Sequence, residues 1–345
     1  MSKYWLFFIL YILLSPKASH AQKHRSLEMD TIFKKEISIR AILIDGDKVW
    51  YAGDHNQVGF YNWKSHQREE VKVQGDSIPL QFRSIAHTTD FIFVANIGNP
   101  AGIYKIQKSN LAIQKVYSET DPKVFYDSLQ FWNDKEGIAL GDPTGTCLSI
   151  TITRDGGNSW QKISCDQLPP VEEGEAAFAA SNTNICIQGT GTWLVSGGTK
   201  ARVFYSSNKG ASWEVFNTPI AQGSAMSGIF TADFYDNRIG IIAGGNYEAP
   251  SQNFQNKALT QDGGKTWQLL ADHAHFGYAS CIQFVPKTKA REIVSMGATG
   301  IYYSSNQGAD WEQLSSEASL YTLRFLTKTT AFAAGKNSLI QLTFK

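Results

Sequence analysis

Three charged residues stand at matching places in successive apolar segments. Arg40, Arg83 and Asp127 each precede a small residue (Ala41, Ser84 and Ser128) by one position, and Glu175 precedes Ala177 by two. Asp142 sits in the tight string Gly141-Asp-Pro-Thr-Gly145, and Tyr247 and Tyr278 belong to later loops rich in Gly and Asn. If these strand starts and loops share one face, Arg40, Arg83, Asp127, Asp142, Glu175, Tyr247 and Tyr278 converge on one mouth. Such a set could hold an anion or a sugar, because the guanidinium fork matches a carboxylate. The competing arrangement is mutual ion pairing along a water-filled channel, since buried charges are ordinarily paired. The sequence leaves both open.

Other chemistries have weaker support. His273-x-His275 has no third ligand nearby in sequence and reads as a solvated loop, so no metal is expected. Glu172, Glu173 and Glu175 form an acidic run of the kind that usually faces water. No Gly-x-Gly-x-x-Gly opens a helix and no Gly-x-Ser-x-Gly elbow is present, so neither a dinucleotide cofactor nor a serine hydrolase is indicated. The Phe-Arg-Ile-Pro string of sialidases is approached only by Phe82-Arg-Ser-Ile85. Arg324 has the wrong parity to serve as a third clamp.

The elements that must position these residues announce themselves through a repeat. Thr153-Arg-Asp-Gly-Gly-Asn-Ser-Trp160, Ser206-Ser-Asn-Lys-Gly-Ala-Ser-Trp213, Thr260-Gln-Asp-Gly-Gly-Lys-Thr-Trp267 and Ser304-Ser-Asn-Gln-Gly-Ala-Asp-Trp311 share one form. This is the Asp-box, or BNR repeat, and its chemistry is that of a turn. Asp155, Asn208, Asp262 and Asn306 can bond backbone a few residues on, and the glycine two places later tolerates positive φ. Trp160, Trp213, Trp267 and Trp311 then open the returning strand under a large apolar ring. A catalytic acid is needed once, not four times, so these positions are structural.

The Trp steps are 53, 54 and 44 residues (160 to 213, 213 to 267, 267 to 311). Repeats of this length with several short strands point to propeller blades. A second pattern, an apolar strand ending in Gly or another small residue, occurs seven times, from Val49–Gly53 to Ala331–Gly335. The expected fold is therefore all-β: a seven-bladed β-propeller of four-stranded blades. Met29–Ile37 should close the ring as the outer strand of the last blade, leaving no open edge.

Residues 1–21 read as a secretory signal peptide: Lys3, an apolar run from Tyr4 to Leu14, Pro16, and small residues before a cut near Ala21. Gln22 follows, so a lipoprotein anchor is not expected. Residues 22–345 form one domain, secreted or periplasmic and monomeric, peripheral to a membrane at most. Removing Lys3 and Lys17 leaves 30 basic against 31 acidic residues. That near-neutral balance argues against nucleic acid as a partner. Cys147 and Cys165 fall opposite each other across the first Asp-box hairpin; a disulfide is favoured over two thiols, which a slightly different register would leave. Cys186 and Cys281 read as buried free thiols.

The frame Phe131-Trp-Asn-Asp-Lys-Glu-Gly-Ile-Ala-Leu-Gly-Asp142 with Thr153–Trp160, and its counterpart from Phe234 to Trp267, resembles the photosystem II stability and assembly factor family. Gly141-Asp-Pro143, Gly174–Ser181 and Gly277-Tyr278 resemble its secreted bacterial branch, whose members are often labelled oxidoreductases. The resemblance covers essentially the whole mature chain and implies the Asp-box propeller fold. Function does not transfer with the fold. The favoured reading is a non-enzymatic protein-binding or assembly scaffold acting through its top face, with a protein or peptide partner and no cofactor. The alternatives are a glycan-active hydrolase or lyase of the sialidase-like superfold, using Asp127 or Glu175, and an oxidoreductase. Enzyme activity stays undecided at this level.

Overall fold

The computed structural model describes residues 25–74 and 79–345; the expected signal peptide lies outside them. Alternating apolar residues and tight turns give an almost purely antiparallel structure. The strands form six hydrogen-bonded sheets rather than the seven expected blades. Four sheets have four strands each: the one from Phe82–His87 to Ile113–Glu119, the one from Tyr126–Phe131 to Gln161–Lys162, the one from Ile185–Gln188 to Glu214–Asn217, and the one from Ala279–Phe284 to Glu312–Ser315. Two sheets have six strands.

Backbone continuity explains the lower count. Leu27–Asp45 is one strand of 19 residues. Its first half pairs with Thr330–Phe344, placing Leu27 opposite Phe344, and its second half pairs with Lys48–Gly53. One strand therefore belongs to what the repeat pattern divides in two. The other six-stranded sheet arises from a close approach of glycines. Gly197 pairs with Gly228, and a Cβ on Gly228 would lie 2.3 Å from the Gly197 Cα. Only two glycines let those backbones meet, and this joins Glu175–Ala176 and Gly197–Gly198 to the strand Ser227–Phe234.

The four repeated turns have one geometry. The Thr153 hydroxyl donates to Asp155 Oδ1 (2.9 Å) and accepts from the Gly157 N–H (2.9 Å). Asp155 also accepts from the Ser159 N–H (3.0 Å) and hydroxyl (2.6 Å). The Asn208, Asp262 and Asn306 turns repeat the first three of these bonds; the hydroxyl donation recurs at Asp262, whereas the Asn208 amide instead donates to Ser212 Oγ. Their glycines all have positive φ: 74° at Gly157, 82° at Gly210, 91° at Gly264 and 81° at Gly308. Trp160 packs against Phe93 of the preceding sheet and Phe131 of its own, while Trp267 packs against Phe234 and Trp311 against Phe276 within their own repeats. Cys147 and Cys165 form a disulfide, with Cα atoms 5.4 Å apart. Cys281 is a buried thiol, whereas Cys186 is only partly buried.

The centre is closed by the segment Ala180–Thr183, which is not a strand. It bonds inner strands all round. Asn182 Nδ2 donates to Ile85 O (2.8 Å), and Asn182 Oδ1 accepts from Ser128 Oγ (3.1 Å) and the Leu129 N–H (3.0 Å). Ser181 Oγ donates to Ser280 O (2.5 Å), and Thr183 Oγ1 donates to Thr231 Oγ1 (2.8 Å). Thr322 Oγ1 and Arg324 Nη2 donate to Ser181 O, and Arg324 also reaches Asn182 O. Asn182 has a φ of 59°, a conformation its short amide side chain tolerates. The axis is thus plugged by backbone and is not the open channel of the ion-paired alternative.

Asn182→Ala strands a buried carbonyl at Ile85 and a buried N–H at Leu129. A loss on the order of 3 kcal/mol follows, read as a fall in the urea unfolding midpoint. An unchanged midpoint would show that the plug does not bind the inner strands together.

Candidate functional site

The plug forms the floor of a blind cavity of about 370 Å³. Its walls include Arg40, Arg83, Asp127, Asp142, Tyr247 and Tyr278. Six of the seven residues proposed from sequence are therefore together. The seventh, Glu175, is not among the wall residues. Arg202 holds it through two contacts, Nη2 to Oε2 at 2.5 Å and Nε to Oε1 at 3.0 Å, and Ser196 Oγ adds a third at 2.5 Å. Those donors lock a fully buried carboxylate into structure. No residue of the four repeated turns lines the cavity. The two loop histidines have separate surroundings: His275 pairs with Asp310 (3.0 Å), while His273 is 76% exposed and stacks on Phe254.

Strand position explains the convergence. Arg40, Arg83 and Asp127 each sit beside a local register shift, Arg83 and Asp127 near the start of an inner strand and Arg40 within the long strand Leu27–Asp45. Such irregularities re-aim a side chain out of strict alternation. Arg40 lies over the Tyr321 ring (4.2 Å) and donates weakly to Ala180 O (3.4 Å). Arg83 lies near Phe125 (5.8 Å) and, among the described residues, makes no hydrogen bond or ion pair. Burial and then the neighbouring Arg40 charge pull the Arg83 pKa down, opposed by Asp127. Among the described residues, most guanidinium donors here have no hydrogen-bond partner.

Asp127 is fully buried, and neither carboxyl oxygen has a hydrogen-bond partner among the described residues. Burial and the nearby Asp142 charge push its pKa well up. Arg83 opposes the rise, as does the Ala179 N–H, which falls short of a hydrogen bond. Asp142 accepts from the Ala177 N–H (2.9 Å), yet burial raises it to about 6. Burial also raises the Tyr278 hydroxyl.

One wall was missed by sequence reasoning. Phe178 stacks on Phe230 at 3.9 Å, Phe230 meets Tyr278 edge-on, and Tyr278 meets Tyr247 edge-on. This aromatic ladder runs from the floor to Tyr247, which is 48% exposed. A signal existed in Glu175-Ala-Ala-Phe-Ala-Ala180, where one large ring stands among alanines small enough to leave a cavity beside it. The site can bind an anionic group at one side and an apolar or aromatic group along the other. It offers no cluster of metal ligands among the described residues.

Raised carboxyl pKa values mean that the folded state holds protons the unfolded chain has released. Stability attributable to Asp127 and Asp142 is thus present at low pH. It is lost as pH rises from about 4, the ordinary Asp value, through about 6 for Asp142. Relative to wild type, Asp127→Asn should gain in melting temperature as pH rises across that window. Parallel pH profiles for the two proteins would contradict the assignment.

No family model matches the chain, and no curated protein matches it. Solved structures do. One described as YCF48 bound to D1 peptide aligns with a TM-score of 0.67 at 13% identity, covering 94% of this chain and 98% of that one. YCF48 from Cyanidioschyzon merolae aligns at 0.64 and 12%, covering 92% and 98%. The WD40 repeats of RRP9 align at 0.64 and 11%, covering 92% and 97%. At such identities the likeness is one of fold: the chain is a β-propeller.

Proposed function

We propose that this propeller is a protein-binding scaffold whose plugged cavity takes a short anionic segment of a partner polypeptide. The carrying observation is the coexistence, in one blind cavity, of two arginines with unused donors and an aromatic wall. A carboxylate would bridge Arg40 and Arg83, and an apolar side chain would lie along Phe178, Phe230 and Tyr278. The similar propeller described with a D1 peptide supports a peptide over a small metabolite. We further take residues 22–345 to be one secreted or periplasmic Asp-box domain of the assembly-factor type. The repeated turn network and the disulfide support that reading.

A second reading has one specific observation behind it. Two buried carboxyls of raised pKa share the cavity, an arrangement that glycosidases use for acid–base chemistry. Asp127 would be the acid; Glu175, held by Arg202, is withdrawn from that role.

Affinity capture from native envelope extract separates the two. The wild type should retain a partner that the double variant Arg40→Ala/Arg83→Ala loses by at least tenfold. Capture indifferent to those arginines would refute the scaffold reading. Oligosaccharide turnover abolished by Asp127→Asn would establish the second.

A further inference from the structure

The scaffold reading leaves an acid unexplained. An anion-binding cavity gains nothing from a negative charge beside its arginines. Yet Asp127 is fully buried at that wall, and neither of its oxygens has a hydrogen-bond partner among the described residues. A buried carboxylate with no hydrogen bond is costly, and a second carboxyl beside it adds repulsion. Both effects are relieved if Asp127 carries a proton. The carboxyl is then a neutral donor, and its O–H has no acceptor among the described residues.

We propose that protonated Asp127 is the third donor of the anion site, its O–H directed at the same ligand carboxylate that Arg40 and Arg83 hold. This rests on the reading of the cavity as a carboxylate site and adds a residue and a proton to it. The groups facing Asp127 agree with the assignment. Asp142 is a second acid, partly satisfied by the Ala177 N–H, and its charge favours the proton on Asp127. Arg83 opposes it, with a smaller contribution from the Ala179 N–H, and a bound carboxylate would offset the arginine's opposition. Arg40, Tyr247 and Tyr278 line the same cavity, and among the described residues none of them is hydrogen-bonded to Asp127. Binding a carboxylate should therefore hold the proton more tightly, and by reciprocity raising the pH should weaken the carboxylate. Recognition would favour a carboxylate over an uncharged amide. The amide lacks the charge for the arginines and brings its own N–H donors toward the O–H.

The test uses N-acetylphenylalanine as probe and its uncharged amide as control, with titration calorimetry on the full mature chain from mildly acidic to mildly alkaline pH. The wild type should bind the acid and not the amide. Its affinity should fall as pH rises through the Asp127 titration, approaching tenfold per pH unit above it. Asp127→Asn, which keeps an N–H donor, should lose the part of the fall due to Asp127 and keep only the weaker dependence that Asp142 contributes near pH 6. Asp127→Ala should bind more weakly than wild type at low pH. Asp142→Asn should shift the wild-type fall to lower pH.

Three results would overturn the proposal: an affinity independent of pH in the wild type, an affinity that rises with pH, or no saturable binding of the acid at any pH. Circular dichroism on each variant would exclude unfolding as the cause of a loss. Partner capture that depends on Arg83 but accompanies pH-independent probe binding would sink this inference and leave the scaffold reading intact.

Discussion

The backbone of Ala180–Thr183 across the axis is the constraint on which the rest of the molecule depends. Repeats packed around a centre face a geometric difficulty, because their inner strands run close together and expose polar backbone toward one another. Here the difficulty is met by one polar segment whose amide and hydroxyls bond Ile85, Leu129, Thr231 and Ser280, while Thr322 and Arg324 bond its carbonyls. Each bond is modest by itself. Leaving any of those buried groups without a partner would cost more than the bond contributes, so the arrangement is mutually enforced.

The plug also creates the site. An open channel would let water reach Asp127 from both ends and would favour its charged form. With the axis closed, Asp127 lies buried in the wall of a blind cavity, shielded from water. Arg40 helps close it by donating to Ala180 O, and Arg324 bonds Ser181 O and Asn182 O. Stability and recognition are thus coupled through the same few carbonyls. A change made to bind a ligand at Arg40 reaches the inner strands directly.

Much of this was legible in the chain. The four turns follow from residue type, because Asp or Asn with a following glycine has few other low-energy uses. The closeness of Cys147 and Cys165 is local to one hairpin, although the strands pair one residue out of the register that suggested it (Thr151 opposite Lys162) and the bridge forms just beyond them. The placement of Arg83 and Asp127 near strand starts is local too. Glu175 was misplaced because its partner, Arg202, comes from another strand, and pairing across that gap leaves no mark in local spacing. Ser181-Asn-Thr-Asn184 was passed over for a related reason. A polar run reads as a surface loop, and only its contacts reveal it as buried. The count of seven failed where Leu27–Asp45 continues from one sheet into the next and where Gly197 meets Gly228.

By itself, then, the sequence determined the strand-and-turn alphabet, the all-β class and the residues able to face one mouth, since these rest on interactions within a hairpin. Tertiary structure alone decided how many sheets the strands join into, that the axis is closed, and that Asp127 is buried with no hydrogen-bond partner among the described residues. Those outcomes depend on groups far apart in the chain coming within bonding distance, as Asn182 does with Ile85 across 97 residues. No local pattern records which distant group will be there.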